Sequence, residues 1–164
     1  MKTTKSILLG TLLVATFFFV SCEKEKKENT HHAVKWNQID YDAVKAAISD
    51  YVEGIYLVDS TRIERSVDTT LRKIGYWYNP NEKSYRDNLP MNYNQLVSLA
   101  ARWNKDGSRA NESSVKKIEV YDVNTKTASA KLTASWGVDY FHLAKVNNQW
   151  KIMNVIWQSI PEEK

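Results

Sequence analysis

From Thr127 onward the chain alternates with a period of two. Ala128, Ala130, Leu132, Ala134 and Trp136 fall on one face, and Thr127, Ser129, Lys131, Thr133 and Ser135 on the other. That spacing predicts a half-buried antiparallel strand. Val138 to Val146 alternates as well but is apolar on both faces, with Val138, Tyr140, Ala144 and Val146 against Phe141 and Leu143. Asn147-Asn148 supplies two residues that tolerate positive φ, as a two-residue hairpin requires. Trp150 to Trp157 then repeats the pattern of a strand apolar on both sides. Strands wet on neither face need cover on both, so the expectation is a curved sheet with helices on one face and a partner or closed pocket on the other.

The upstream chain reads as that cover. Over Asp40 to Val58, Val44, Ile48, Tyr51, Ile55 and Val58 recur at three and four residues, a helical stripe with Asp40 as the expected cap. Val52 and Tyr56 widen the stripe, which places this helix deep against the sheet. Gly54 inside it costs about 1 kcal/mol against Ala, which a close backbone approach would explain. Thr61-Arg62-Ile63-Glu64 has capping-box spacing and predicts a second helix to about Val67. Leu71 to Tyr78 reads as a short strand with a bulge at Gly75. The polar stretch from Asn79 to Asn88 reads as a loop. Pro90 introduces a third helix, capped by Asn92 or Asn94 and running to about Trp103, with Leu96, Leu99, Ala100 and Trp103 inward. Val115 to Val123 is the first of four antiparallel strands.

The N-terminus changes the picture most. Lys2 and Lys5 precede an uncharged apolar run, Ser6 to Val20, that ends at Ser21-Cys22. This is the pattern of a secretory signal peptide, and the run is shorter than the roughly 20 residues that span a bilayer comfortably. The chain's single cysteine closes the run after Phe19-Val20-Ser21. That resembles the lipobox of bacterial lipoproteins, in which the cysteine is acylated and becomes the new N-terminus; Phe19 stands where Leu is usual. The expected organisation is a signal peptide over residues 1–21, a lipidated Cys22 with a solvated tether over 22–38, and a folded domain over 39–160. The expected location is a bacterial cell envelope, held to the membrane by lipid.

Removing residues 1–21 takes two Lys and no acid, so the formal charge falls from +4 to +2. So small an excess gives no reason to expect a nucleic-acid partner. Once Cys22 is acylated, no thiol remains for disulfide or thiolate chemistry. Glu23 to Glu28 alternates in sign and suits a tether. His31-His32 lies in that tether with no array of further ligands, so no metal site is expected. Six Trp and nine Tyr in 164 residues are many, and they suit either a core or a pocket for a flat ligand.

The order of elements, with these residues in it, resembles the nuclear transport factor 2-like superfamily of cone-shaped α+β domains. It is more closely similar to the family described as "Putative lumazine-binding", with secreted and lipoprotein members in bacteria. The resemblance runs from about Asp40 to Trp157. It rests on Asp50 to Gly54 and Ile63 to Val67 in the two helices, Leu71-Arg72-Lys73 after them, and Met91, Leu96-Val97 and Ala100 to Asn104 around the third helix. Asp139 to Leu143 and Trp150 to Asn154 complete it. It implies three N-terminal helices packed on a curved, mainly antiparallel sheet. Where members commonly carry His-Pro before the Leu-x-Lys element, this chain has Asp68-Thr69, so any chemistry of that histidine is absent.

Little else in the domain suggests chemistry. It has no Gly-x-Ser-x-Gly elbow, no phosphate-cradling glycine loop, and His142 is its only histidine outside the tether. The enzyme reading that survives is proton transfer, as in the isomerases and cyclases of the superfamily it resembles. Asp139 or Asp59 would be the base and His142 or Tyr140 its polar partner. Asp59 reads first as a helix cap, and Asp139 and His142 point to opposite faces of a regular strand. Tyr51, Trp77, Trp103, Trp136, His142 and Trp157 are the candidate ligand-binding residues. Three readings remain open: a non-catalytic binder of a small apolar or aromatic molecule, an isomerase- or cyclase-like enzyme, and a homodimeric scaffold. No cofactor is expected.

Overall fold

The computed structural model describes residues 37–161, so the signal peptide, Cys22 and His31-His32 lie outside the described residues. Helices α1 (Gln38–Tyr56) and α2 (Ser60–Ser66) come first. Strands β1 (Val67–Asn79) and β2 (Ser84–Met91) follow, then α3 (Tyr93–Ala100). Four strands end the chain: β3 (Lys116–Val123), β4 (Thr127–Ala134), β5 (Gly137–Val146) and β6 (Gln149–Gln158). They form one six-stranded sheet in the order β2-β1-β6-β5-β4-β3. Every pairing is antiparallel except β1 with β6, which is parallel. This is the expected α+β class, three helices against a curved, mainly antiparallel sheet.

The turns behave as their residues dictate. Asn147 and Asn148 take φ of 47° and 60°, the paired left-handed conformation that lets a two-residue turn match strand twist. The β1 register breaks between Gly75 and Trp77, which is the expected bulge. Asn92 caps α3 with a full capping box: its Oδ1 accepts from Gln95 N at 3.0 Å, and Gln95 Oε1 accepts from Asn92 N at 2.8 Å.

Helix α1 lies along the inner sheet face and buries Val44, Ile48, Tyr51, Val52, Ile55 and Tyr56. Gly54 has its reason in α2. A Cβ there would stand 3.0 Å from the Asp59 carbonyl oxygen and 3.1 Å from the Arg62 Cβ. The outer side of the two helices is laced by Arg62 to Glu53 at 2.7 Å and by a two-pronged Arg65–Asp50 pair at 2.6 Å for each bond.

Three expectations need correction. Asn37, not Asp40, caps α1, its side chain accepting from Ile39 N. Asp40 lies in the first turn and turns inward, accepting from Lys145 Nζ at 2.6 Å and Trp150 Nε1 at 2.9 Å, which pins the helix start to β5 and β6. The expected loop over Asn79 to Asn88 contains most of β2. That strand is an edge strand exposed along almost its whole length, so it lacks the apolar alternation that would have revealed it, and Pro90 is tolerated in it because an edge leaves one side unpaired. Helix α3 stops at Ala100, and Trp103 sits in the turns beyond it, its N–H on the Leu99 carbonyl at 2.8 Å.

The both-sided apolar pattern of β5 and β6 is explained on one side only. Phe141, Leu143, Ile152 and Val155 pack under the helices, whereas Tyr140 and Ile156, paired across β5 and β6, are about half exposed on the outer face.

The Asp40 clamp has a pH signature. The bonds from Lys145 and then Trp150 hold its carboxyl below the usual carboxylate range. A depressed folded value means that the clamp stabilises the fold above the unfolded value of about 3.9 and is lost as pH falls through the lower folded value. The melting-temperature difference between the chain and Asp40→Asn should therefore be largest near neutral pH and shrink below about pH 4, measured by thermal scans across that range.

Candidate functional site

Between α3 and the inner sheet face lies a cavity of about 150 Å³. Its floor is made by Ile55 of α1 and Lys73 of β1, both almost fully buried. Trp136 and Trp157 form walls, and the half-buried Met91, Leu99 and Trp103 form the rim. The walls are apolar apart from one amine.

Two local features shape the walls. In the parallel β1–β6 register Gly75 faces Trp157, and a Cβ on Gly75 would fall 2.1 Å from the indole nitrogen. The indole therefore lies flat on bare backbone, a position that any larger residue at 75 would deny it. At the other wall, Trp103 stacks on Tyr56 at 6.0 Å and meets the Trp136 ring edge-on at 5.4 Å. Edge-to-face and stacked aromatic contacts of this kind hold each ring in a defined orientation.

Beneath the cavity lies a buried polar cluster. Asp139 has no exposed surface. Its Oδ1 accepts from Lys73 Nζ at 2.9 Å and from the Tyr51 hydroxyl at 3.2 Å, and its Oδ2 accepts from Trp136 Nε1 at 2.5 Å. Lys73 also donates to the Tyr51 oxygen. Its ammonium stands 5.2 Å from the Tyr51 ring centre and 5.3 Å from that of Trp157, within the range of cation–π attraction. Burial, and secondarily the Asp139 charge, push the Tyr51 phenol well above its ordinary value. Tyr51 thus stays a neutral donor. Asp139 is fully buried and both its oxygens already accept hydrogen bonds, which leaves it poorly placed to take a substrate proton.

The expected site residues divide. Trp103, Trp136 and Trp157 line the cavity. Tyr51 sits fully buried beneath it. Trp77 does not contribute: past the bulge it turns to the surface, with the Arg86 guanidinium 5.4 Å over its ring. Asp59 is the N-cap of α2, accepting from Thr61 N at 3.1 Å and the Thr61 hydroxyl at 2.6 Å, and those contacts, the hydroxyl first, hold it below the usual carboxylate range. His142 and Tyr140 lie exposed on the outer face, opposite Asp139 as the strand period demands. His142 borders a more open depression of about 280 Å³ on the outer face with Asp122, Asn124 and Ser129. Among the described residues no group of His, Cys, Asp and Glu could hold a metal ion.

Lys73 was missed by sequence reasoning. Its signal was present: it alternates with Leu71 and Gly75 on one strand face, so a core-facing lysine required a buried acid, and Asp139 was the core-facing acid of β5.

The family model described as "Putative lumazine-binding" matches residues 39–158. No curated protein matches the sequence. Among solved structures, the chain is similar to a nuclear transport factor 2-like protein of unknown function from Silicibacter pomeroyi, with 13% identity, 76% of this chain and 99% of that one covered, and a TM-score of 0.57. It is similar to another from Shewanella baltica, with 17% identity, coverage of 77% and 98%, and a TM-score of 0.56. A third, from Nostoc punctiforme, is a domain of unknown function with a cystatin-like fold, at 10% identity, coverage of 77% and 81%, and a TM-score of 0.51. At these identities the likeness is one of fold.

The buried pair should behave as a unit. Lys73→Met alone leaves the Asp139 charge without its partner and should cost about 3–5 kcal/mol of unfolding free energy. The double variant Lys73→Met, Asp139→Leu should recover only part of that loss, because the Tyr51 hydroxyl and the Trp136 indole N–H lose their acceptor, as measured by denaturant titration.

Proposed function

We propose, for a chain that belongs to the family described as "Putative lumazine-binding", that the domain binds one small flat molecule in its aromatic cavity and performs no chemistry on it. The observation that carries this is the cavity itself: three indoles around a buried floor with a single charged group. Pockets for small molecules have this composition, mostly apolar walls with few, placed polar groups. The volume, about 150 Å³, matches a cavity that holds a benzene-sized guest, so a single ring fits inside it and a fused second ring would extend toward the half-buried rim of Met91, Leu99 and Trp103. No base is assigned, because Asp139 is buried beneath the cavity with both oxygens bonded, and Asp59 and His142 lie outside the cavity.

Lumazine, the flat heteroaromatic in the family's description, is the first probe. Addition of lumazine should change the tryptophan fluorescence and saturate at one equivalent, with the complex visible by native mass spectrometry. No response to lumazine or to a panel of one- and two-ring heteroaromatics would overturn the binding reading.

We further propose that the domain works tethered to a bacterial cell-envelope membrane through an acylated Cys22. The apolar run ending at that cysteine supports this. An alkyne fatty acid fed to the expressing cells should label the chain, and Cys22→Ala should abolish the label and release the protein from the membrane fraction.

A further inference from the structure

The cluster under the cavity restricts which flat molecule can enter. Lys73 has three N–H donors. Two are used, on Asp139 Oδ1 and the Tyr51 oxygen, and among the described residues the third has no partner. Among those residues Lys73 is also the only charged side chain that lines the cavity. The floor therefore offers a donor and no free acceptor.

Its charge is already balanced. The Asp139 carboxylate stands 2.9 Å from the Lys73 ammonium, Tyr51 is neutral, and the remaining lining residues, Ile55, Met91, Leu99 and the three indoles, carry no charge. The cavity as a whole is thus close to neutral despite its lysine. An anionic guest would leave water for apolar walls and meet the Asp139 charge just behind the lysine it sought, a combination in which desolvation outweighs attraction. A cationic guest would face the ammonium directly. A purely apolar guest would cover the third N–H and leave it only the weaker attraction of the Trp157 ring.

We infer that the ligand is a neutral flat molecule with a hydrogen-bond acceptor, a carbonyl oxygen or a ring nitrogen, directed at Lys73, and that Asp139 sets this preference by cancelling the lysine charge. This rests on the binding reading above and deepens it. In this account Asp139 never touches the guest. It is a positioning and charge-compensating residue, and the specificity of the site comes from the pair rather than from the lysine alone.

Three probes of one ring and similar size separate the cases: toluene with no acceptor, acetophenone with a neutral carbonyl, and benzoate with an anion. Titrated into the full chain and followed through the indole N–H signals of Trp136 and Trp157 by NMR, acetophenone should bind about tenfold or more tightly than toluene, the worth of one bond to a charged donor. Benzoate should bind more weakly than acetophenone. Asp139→Asn keeps the shape and removes the compensating charge, so in that variant benzoate should overtake acetophenone. Equal binding of toluene and acetophenone, or a preference for benzoate in the unaltered chain, overturns the inference; the unaltered chain decides this even if the variant folds poorly. An unchanged order in folded Asp139→Asn overturns the compensating role of Asp139. If none of the three moves the indole signals while lumazine does, the inference falls; if lumazine and the heteroaromatic panel fail as well, the binding reading itself falls, a failure distinct from a wrong ranking.

Discussion

A lysine and an aspartate that have left water need each other, and much of this fold is arranged so that they meet. Removing either charge from water costs several kcal/mol, and their attraction offsets that only when the remaining donors and acceptors are also filled. Here the filling draws on four separate parts of the chain: Lys73 from β1, Tyr51 from α1, Asp139 from β5 and Trp136 from the turn before it. None of these can shift without stranding a polar atom of another. The helix is thereby held against two strands, β1 and β5, that are not neighbours in the sheet but are separated by β6.

The cavity exists because of what sits on that base. A glycine at the β1 bulge lets the Trp157 indole lie on backbone, and the early end of α3 frees Trp103 to swing onto Tyr56 and Trp136. The bulge thus places a wall, the helix stop places the rim, and the ion pair places the floor. Walls held by such contacts would lower the ordering cost of binding the proposed guest.

The ends of the sheet are managed differently. At the α1 start, Asp40 joins Lys145 and Trp150 and keeps the helix seated. At the β2 edge, exposed side chains and a proline limit further pairing. On the outer face, Tyr140 and Ile156 remain half exposed, so the apolar positions of β5 and β6 are satisfied by this chain on the inner side alone.

The residues by themselves determined the class of fold and most of its elements. Period-two runs at Thr127 to Trp157, the apolar stripe of α1 and the Asn147-Asn148 turn are local signals, set by geometry within a few residues, and the family resemblance agreed with them. They also marked Trp103, Trp136 and Trp157 as candidates for a pocket and set Asp139 and His142 on opposite faces. Local pattern failed where the deciding contact was distant. β2 carries no apolar alternation because it is an edge, and only pairing with β1 makes it a strand. Asp40 resembled a cap until Lys145 and Trp150, more than a hundred residues away, drew it inward. Trp77 is as apolar as Trp157, but a bulge at Gly75 sent the two to different sides. Lys73 and Asp139 each had a legible facing, yet their meeting across β6 depends on sheet order, and sheet order is a property of the whole chain.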